Sequence, residues 1–352
     1  MRSIFVGGAY LMMSHFFKDP KQIIRFFSLY AVAATLVALN IAWKHGHYDY
    51  NHHFIAFATK PFFSDHTIYS ACITLVFLFI STIALTSRKL GLSRWVQVIS
   101  WLMSAILLGS VFHASSRAAW LRLVVVGLFF VAIRTFKIGI IGVILSLFIL
   151  GSTLYVLQDD ILSKMERVDA ISRDESMATH FESIGNIQTD NSNLERLNRW
   201  NCALRMFKGK PWLGWGPGTY QFEYHQFQTA EGMTWISTRH GDRGNAHSEY
   251  LTYLCETGFL GLLIFLGWVF YSIHLGLKLV YHHPTCAGRT VALALLLGLV
   301  SFYVHGAVNA FIDQDKMAVL VFAALGGLVA LEVNARQTPS QNHDSSPQST
   351  EP

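Results

Sequence analysis

The chain has 352 residues, of which 52% are hydrophobic and only 14% are charged. A soluble domain needs more charge than this to cover its surface, so the composition predicts a membrane protein. The net charge of +5 does not indicate nucleic-acid binding, because the positive residues lie in short clusters between apolar runs and form no single patch.

Apolar runs long enough to span a bilayer recur along the whole chain. A spanning helix needs about 20 mostly apolar residues. Eight such runs are predicted as spans, at residues 24–43, 69–86, 95–113, 118–133, 138–157, 257–277, 290–309 and 317–333. A ninth apolar stretch, residues 4–17, is short and contains glycine, so that a re-entrant segment and a half-span are open alternatives to a full span. It lacks the small-residue cleavage site of a signal peptide. The predicted fold class is therefore all-α, a polytopic transmembrane helical bundle of about eight or nine spans.

Lysine and arginine in the short connections predict the orientation, since positive connections stay in the cytoplasm. Eleven of these residues lie in one set of connections: Lys18, Lys21, Arg25, Arg88, Lys89, Arg94, Arg134, Lys137, Lys278, Arg289 and Arg336. Four lie in the alternate set: Lys44, Lys60, Arg117 and Lys316. The first set is thus expected in the cytoplasm, which places residues 44–68, 114–117, 158–256 and 310–316 on the outer face.

One outward segment is far longer than a connector needs, and such loops are usually functional. It divides the chain into N-terminal transmembrane helices (1–157), an extracytoplasmic loop domain (158–256), C-terminal transmembrane helices (257–335) and a cytoplasmic tail (336–352). The tail is rich in Ser, Gln, Asn and Pro, which predicts disorder.

The second half of the loop has a helical pattern. An apolar stripe at helical spacing predicts an amphipathic helix over 193–208 that buries this stripe on the bundle or at the membrane interface. The stripe consists of Leu197, Trp200, Leu204 and Phe207. The Gly- and Pro-rich run 209–218 then ends the helix and predicts a tight turn.

Three arginines are candidates for binding an anion. Arg117 lies at the outer end of a predicted span, where its charge is costly unless it meets an anion or a water-filled cavity. The alternative is an arginine that extends to the interface. Arg196 and Arg199 are neighbours on the loop helix, which suits a solvated charged face beside Glu195 or, with Arg117, a clamp on a pyrophosphate. Arg122 is expected to be structural.

His247 is the candidate base, because a histidine can take a proton from a sugar hydroxyl near neutral pH. Glu249 is close enough in sequence to orient it or to share that role. The alternative is a helix cap, in which Asn245 or Ser248 begins the following helix and Glu249 is solvated. Asp65 and His66 precede a span on the same predicted face and are expected to line the same cavity.

Metal binding has weak support in the sequence. Asp313 and Asp315 form a DxD on the outer face, and carboxylates suit Mg²⁺, but this short pattern is isolated. A histidine-rich outer connection, with His45, His47, His52 and His53, has no regular ligand spacing. The four cysteines contain no CxxC pair, which argues against a cysteine metal site or a disulfide framework. No metal and no cofactor are predicted.

Three segments, in this order, resemble the O-antigen ligase and polymerase superfamily of membrane glycosyltransferases over roughly residues 65–333. The first is Ser-Ser-Arg-Ala-Ala-Trp around Arg117. The second runs from Arg196 through Trp200 to the Pro-Trp-Leu-Gly-Trp-Gly-Pro-Gly turn, and is similar to an Arg-x-x-x-Trp, Pro-x-x-Gly-x-Gly pattern. The third is His-Ser-Glu-Tyr-Leu from His247 followed by Glu-x-Gly-x-x-Gly from Glu256, where Ser248 replaces a common Asn.

The resemblance implies a multi-pass protein of the bacterial inner membrane whose loop is periplasmic. It implies His247 as general base and Arg117 and Arg196 as binders of a leaving lipid diphosphate, with Arg199, Glu249, Asp65 and His66 as substrate-binding candidates. Arginines can stabilise that leaving group without a metal. The implied partners are an undecaprenyl-diphosphate-linked glycan donor, a lipid A–core or other glycan acceptor and the lipid bilayer. Direct displacement at the anomeric carbon implies inversion.

Several functions remain open at this stage. A ligase, a polymerase and a protein O-oligosaccharyltransferase would use the same chemistry. A flippase or transporter predicts paired repeats and broken helices in matching halves, which the sequence does not have. A membrane-anchored binding protein would need no set of histidine and arginine residues in its loop.

Overall fold

A computed structural model describes residues 2–51, 54–114, 117–143, 180–230, 233, 237 and 244–337. Side chains are described for these residues except 2–7, 9, 117–118 and 180–193. Every regular element in this part of the chain is helical: α1 (Arg2–Phe16), α2 (Pro20–Gly46), α3 (Ile55–Ala58), α4 (His66–Thr86), α5 (Arg94–His113), α6 (Arg117–Phe136), α7 (His180–Gly209), α8 (Tyr220–Glu223), a 3₁₀ helix (Tyr224–Phe227), α9 (Glu249–His282), α10 (Cys286–Gly306) and α11 (Asp315–Gln337). The predicted all-α class is confirmed.

Seven of the described helices are long and apolar enough to cross a membrane: α2, α4, α5, α6 from Ala119, α9, α10 and α11. They match seven of the eight predicted spans, although α10 ends at Gly306, three residues before the predicted end of its span. The eighth, 138–157, falls mostly outside the described residues, as do the first part of the loop domain and the tail after residue 337. Helix α1 has 15 residues, and a helix of that length reaches only about 22 Å, less than the roughly 30 Å hydrocarbon core. The chain is a multi-pass membrane protein.

Two helices form the interior of the bundle. In α4 and in α10, 83% of the residues in the apolar stretch of 18 residues are buried, against 22–39% in α2, α5, α6 and α9. Helix α10 packs against α4, α6, α9 and α11, and α1 lies along α11. The outer helices expose apolar side chains such as Leu29, Leu128 and Ile264, as a bilayer-facing surface requires. Five of the described helices, α2, α4, α5, α9 and α10, begin at a polar cap; Ser93 and Thr285, for example, accept the backbone N–H of the residue three positions on.

One end of the bundle, called the site end here, gathers the connections that matter for function. Helices α4, α6, α9 and α11 begin there, and α2, α5 and α10 end there. Contacts between the connections show this directly: His45 Nδ1 lies 2.6 Å from His113 Nε2, and the Lys316 ammonium lies 4.7 Å from the Phe63 ring centre. All the candidate residues from Asp65 to Glu249 therefore lie at the site end.

The loop helix α7 packs on α9 and builds a small core of its own. The helix and the turn after it are confirmed. The predicted apolar stripe is not the face that α7 buries against the protein, and its position at the membrane interface stays a prediction. Leu204 is 41% exposed, and Leu197, Trp200 and Phe207 are only partly buried. The buried face instead carries Glu195, Asn198, Arg199, Cys202, Ala203 and Met206. Periodicity failed here because the polar residues on this face have partners elsewhere in the loop domain, so that burying them is not costly.

Candidate active site

His247 lies immediately before α9, in a backbone segment that is fixed on both sides. Its N–H donates to Asn245 Oδ1 (3.0 Å), and its carbonyl accepts from Trp200 Nε1 of α7 (3.3 Å). Ser248 caps α9 by accepting the Leu251 N–H (3.4 Å). The φ of His247 is +48°, in the left-handed region that is uncommon for a residue with a side chain. Such strain is typical of functional positions that the surroundings hold in place.

Asn245 connects three parts of the site. Its side-chain amide donates to the Ala310 carbonyl between α10 and α11 (3.0 Å), and its own carbonyl accepts from Arg199 Nη1 (3.2 Å). Gly244 precedes it with φ +100°, and a Cβ there would overlap the Arg199 guanidinium. The segment before His247 is thus held against both α7 and the bundle. The sequence indicated that Asn245 or Ser248 would cap α9, but it indicated none of these contacts with α7 and the bundle.

Arg199 is buried and serves structure in α7. Its Nε donates to Glu195 Oε1 (2.8 Å), and both side chains are under 10% exposed. The guanidinium lies 5.0 Å from the Tyr224 ring centre, and the Tyr220 hydroxyl donates to the Arg199 carbonyl (2.9 Å). The expectation that Glu195 and the arginines form a solvated face is wrong for this pair. An i,i+4 spacing of opposite charges was the available signal.

The charges of Arg196, Arg199 and Asp65 act on the titration of His247. Burial, and after it the positive charges of Arg199 and Arg196, lower the pKa of His247 to about 4, against an opposing effect of Glu195 and Asp65. The imidazole is therefore neutral at physiological pH and able to accept a proton. Arg196 is half-buried. Arg196 and Arg199 therefore lie within electrostatic range of His247, and the convergence of Arg117, Arg196 and His247 stays a prediction.

Asp65 begins α4 at the site end. Its carboxylate caps the helix by accepting from the Thr67 N–H (3.1 Å) and hydroxyl (2.8 Å), and His66 Nδ1 lies 2.7 Å from Oδ1. Burial alone would raise the pKa of Asp65, but the contacts with His66 and Thr67 hold it well below its usual range. Asp65 is thus a fixed negative charge within electrostatic range of His247.

Arg117 is the first residue of α6, at the site end, but its side chain falls outside the described residues. The distance from its guanidinium to His247, and the clamp with Arg196, stay predictions. Arg122 is 1% exposed, and its Nη2 donates to the Ser70 carbonyl (2.6 Å), the Ser70 hydroxyl (3.0 Å) and the Thr74 hydroxyl (2.5 Å). It joins α6 to α4, which agrees with the structural role expected for it.

Glu249, at the start of α9, is 1% exposed and not solvated. Its Oε1 accepts the backbone N–H groups of Phe311 (2.6 Å) and Ile312 (2.7 Å). These bonds hold the connection between α10 and α11 against the base of α9. The contacts indicate that Glu249 positions the segment that carries His247.

The glycine-rich turn docks on α9 next to these residues. Helix α9 is kinked at Gly258, with φ +71° and ψ −169°, and a Cβ there would overlap the Trp212 carbonyl. A Cβ on Gly214 would likewise overlap the Glu256 backbone. Three backbone hydrogen bonds cross the contact: Gly216 N–H to Glu256 O (2.8 Å), Trp215 N–H to Cys255 O (3.1 Å) and Phe259 N–H to Pro211 O (2.8 Å).

The Glu256 side chain completes this contact by accepting the N–H groups of Gly218 (2.7 Å) and Tyr220 (2.9 Å). The Pro-x-x-Gly-x-Gly and Glu-x-Gly-x-x-Gly segments therefore bind each other, and this contact between residues 211–220 and 255–259 is called the lock here. It fixes α7 relative to α9, and so fixes Arg196 relative to His247.

Metal-ligand candidates are scattered at the site end. Asp313 and Asp315 are both exposed. Among the residues that the structure describes, no group of three or more His, Cys, Asp or Glu side chains is placed to hold a metal ion. His52 and His53 lie outside those residues, and all four cysteines are free thiols.

A membrane bundle with a neutral, half-buried histidine within electrostatic range of two arginines defines a class of site suited to reactions of anionic substrates. Residues 101–266 match the family model described as Wzy_C, O-Antigen ligase. This match confirms the resemblance to the O-antigen ligase and polymerase superfamily and identifies a glycosyltransferase-like enzyme of the O-antigen ligase/polymerase type. The matched range contains all of α6, α7, the docked turn and His247. No curated protein matches the sequence.

Proposed function

We propose that the protein is an O-antigen ligase that moves a glycan from undecaprenyl diphosphate to a hydroxyl of lipid A–core on the periplasmic face of the inner membrane. The observation that carries the proposal is the neutral imidazole of His247 at the site end of the bundle. His247 lies immediately before α9, accepts a hydrogen bond from Trp200 of α7 and has Arg196 and Arg199 in electrostatic range. A base and a site for a leaving anion are what this transfer requires.

The reaction is a displacement at the anomeric carbon of the donor glycan. The imidazole of His247 accepts the proton of the acceptor hydroxyl as that oxygen forms the new glycosidic bond. The bond between the anomeric carbon and the diphosphate oxygen breaks, and its electron pair stays on the diphosphate. Attack from the face opposite the leaving group inverts the anomeric configuration.

The developing charge on the diphosphate is stabilised by Arg196 and Arg117, without a metal. Arg199 and Glu249 position other residues of the site. The Arg199 guanidinium is paired with Glu195, and the Glu249 carboxyl accepts two backbone N–H groups. Asp65 and His66 border the acceptor side of the cavity. The polyprenyl chain of the donor lies between spans, in contact with lipid.

A polymerase that extends the glycan, or an enzyme that glycosylates protein, would use the same displacement. Glycan analysis of a deletion strain separates these possibilities. Intact glycan stranded on undecaprenyl diphosphate, with unmodified lipid A–core, is expected for the ligase. Lipid A–core capped by a single repeat would instead identify a polymerase, and loss of glycan from protein alone would identify a protein oligosaccharyltransferase. Restoration by the wild-type gene is the control.

A further inference from the structure

The tip of the glycine-rich turn carries two adjacent apolar side chains that protrude from the protein. Trp212 is 66% exposed and Leu213 is 75% exposed. A single exposed apolar residue is ordinary in any protein. Here two neighbours are held at the tip of a turn whose backbone is locked onto α9, so their projection is built into the fold.

The depth of this tip follows from the sequence of α9. Between Glu256 and Lys278 the helix carries no Asp, Glu, Lys or Arg, and residues 258–277 form a mostly apolar run in which Ser272 and His274 are the polar exceptions. Twenty helical residues extend about 30 Å, the thickness of the hydrocarbon core. The kink at Gly258 therefore marks the membrane boundary on the site end, and the turn docks at that level.

The tip is continuous with the lipid-facing surface of α9. The rings of Trp212 and Phe259 meet edge to face with centres 6.4 Å apart. The exposed apolar surface continues along α9 through Phe259, Leu260, Leu263 and Ile264, which are 43–75% exposed. Lys208 and Lys210, which precede the tip in sequence, are exposed, and the Lys210 ammonium lies 4.0 Å from the Trp215 ring centre.

We propose that Trp212 and Leu213 insert into the headgroup region of the bilayer, with Lys208 and Lys210 against lipid phosphates. Tryptophan favours the boundary between hydrocarbon and water, and lysine beside it favours anionic headgroups. The turn is then a membrane anchor for the loop domain. Because the lock joins this turn to α7 and α9, the anchor holds the site at the bilayer surface. The inference does not depend on which acceptor the enzyme uses.

Spin labels on single introduced cysteines test this insertion in bilayer nanodiscs that contain anionic lipid. Cys286→Ser provides the background, because Cys72, Cys202 and Cys255 are buried. A label on Leu213→Cys is expected to be more accessible to oxygen than to a water-soluble nickel chelate. A label on Gln226→Cys, on the exposed surface of the 3₁₀ helix, is expected to show the reverse. A Leu213 label with the same aqueous preference as the Gln226 label would overturn the proposal.

Quenching by lipids with brominated chains near the headgroup gives an independent test. Trp212→Phe is expected to remove more of the quenched tryptophan emission than Trp215→Phe, since Trp215 is half-buried and donates to the Met206 carbonyl (2.7 Å). Both variants keep an aromatic ring at the position. Equal quenching in the wild type and in Trp212→Phe would place Trp212 away from the bilayer and refute the insertion.

Discussion

Substituting Gly258 by alanine is expected to release the glycine-rich turn from α9. The backbone of Gly258 lies in a region that residues with a Cβ rarely adopt, at a cost of about 1–3 kcal/mol, and the added methyl would overlap the Trp212 carbonyl. Separation of the turn relieves both problems and breaks the three backbone hydrogen bonds that cross the contact. At about 1 kcal/mol each, these bonds contribute about 3 kcal/mol. These bonds oppose opening in the wild type and in the variant alike, whereas opening of the variant relieves the added strain of about 1–3 kcal/mol, so local opening of the turn should become roughly 5- to 150-fold more frequent.

Hydrogen–deuterium exchange of peptides covering residues 209–220, in nanodiscs, measures this opening. The matched control is Gly267→Ala on the same helix, where an added Cβ meets no atom within 4 Å. Gly258→Ala should lose protection in the turn, and Gly267→Ala should keep it. If the turn stays as protected in Gly258→Ala as in the wild type, the lock between the two glycine-containing segments is not what holds α7.

Three further predictions concern the site. Glu249→Gln keeps an acceptor oxygen for Phe311 and should retain activity. Glu249→Leu should lower the thermal midpoint of unfolding by several degrees in a melt monitored in detergent. Equal midpoints for Glu249→Leu and the wild type would exclude the anchoring role of Glu249. The acid limb of the kcat/KM profile should have its midpoint near the His247 pKa of about 4, because the base must be neutral, and Arg196→Gln should move that midpoint to higher pH by removing a positive charge. An unmoved midpoint would separate Arg196 from His247. Transfer by purified enzyme should persist in EDTA, and activity lost in EDTA and restored by Mg²⁺ would instead assign a role to Asp313 and Asp315.

The membrane architecture could be predicted from sequence because it depends on a one-dimensional property. Runs of about 20 apolar residues mark spans whatever their neighbours are, and seven of the eight predicted runs fall on described spanning helices. Three motifs in order indicated the superfamily, which the match over residues 101–266 confirms.

The packing of α7 could not be predicted in this way. Its buried face is polar because Glu195 pairs with Arg199 and accepts from Ser237, a residue 42 positions away, and because Asn198 donates to Gln228. Partners this distant leave no periodic signal, so the apolar stripe did not identify the face of α7 that is buried against the rest of the protein.

Backbone geometry was equally invisible to sequence patterns. The left-handed φ of His247 and the kink at Gly258 exist because tertiary contacts impose them. The sequence singled out both residues through their motifs, His247 as the proposed base and Gly258 as part of the Glu-x-Gly-x-x-Gly segment. It gave no indication that Gly258 and the turn around Gly214 touch, or that Trp200 holds the His247 carbonyl.

The central claim is that His247 is the base in glycan transfer, and a reconstituted reaction tests it most directly. Purified protein in lipid, supplied with polyprenyl-diphosphate-linked glycan and acceptor, is compared as wild type, His247→Gln and His225→Gln, the last being a half-buried histidine elsewhere in the loop domain. His247→Gln is expected to reduce the rate by at least about 100-fold at equal folding and insertion, while His225→Gln stays near the wild-type rate. Transfer by His247→Gln at the wild-type rate would remove the residue from the mechanism.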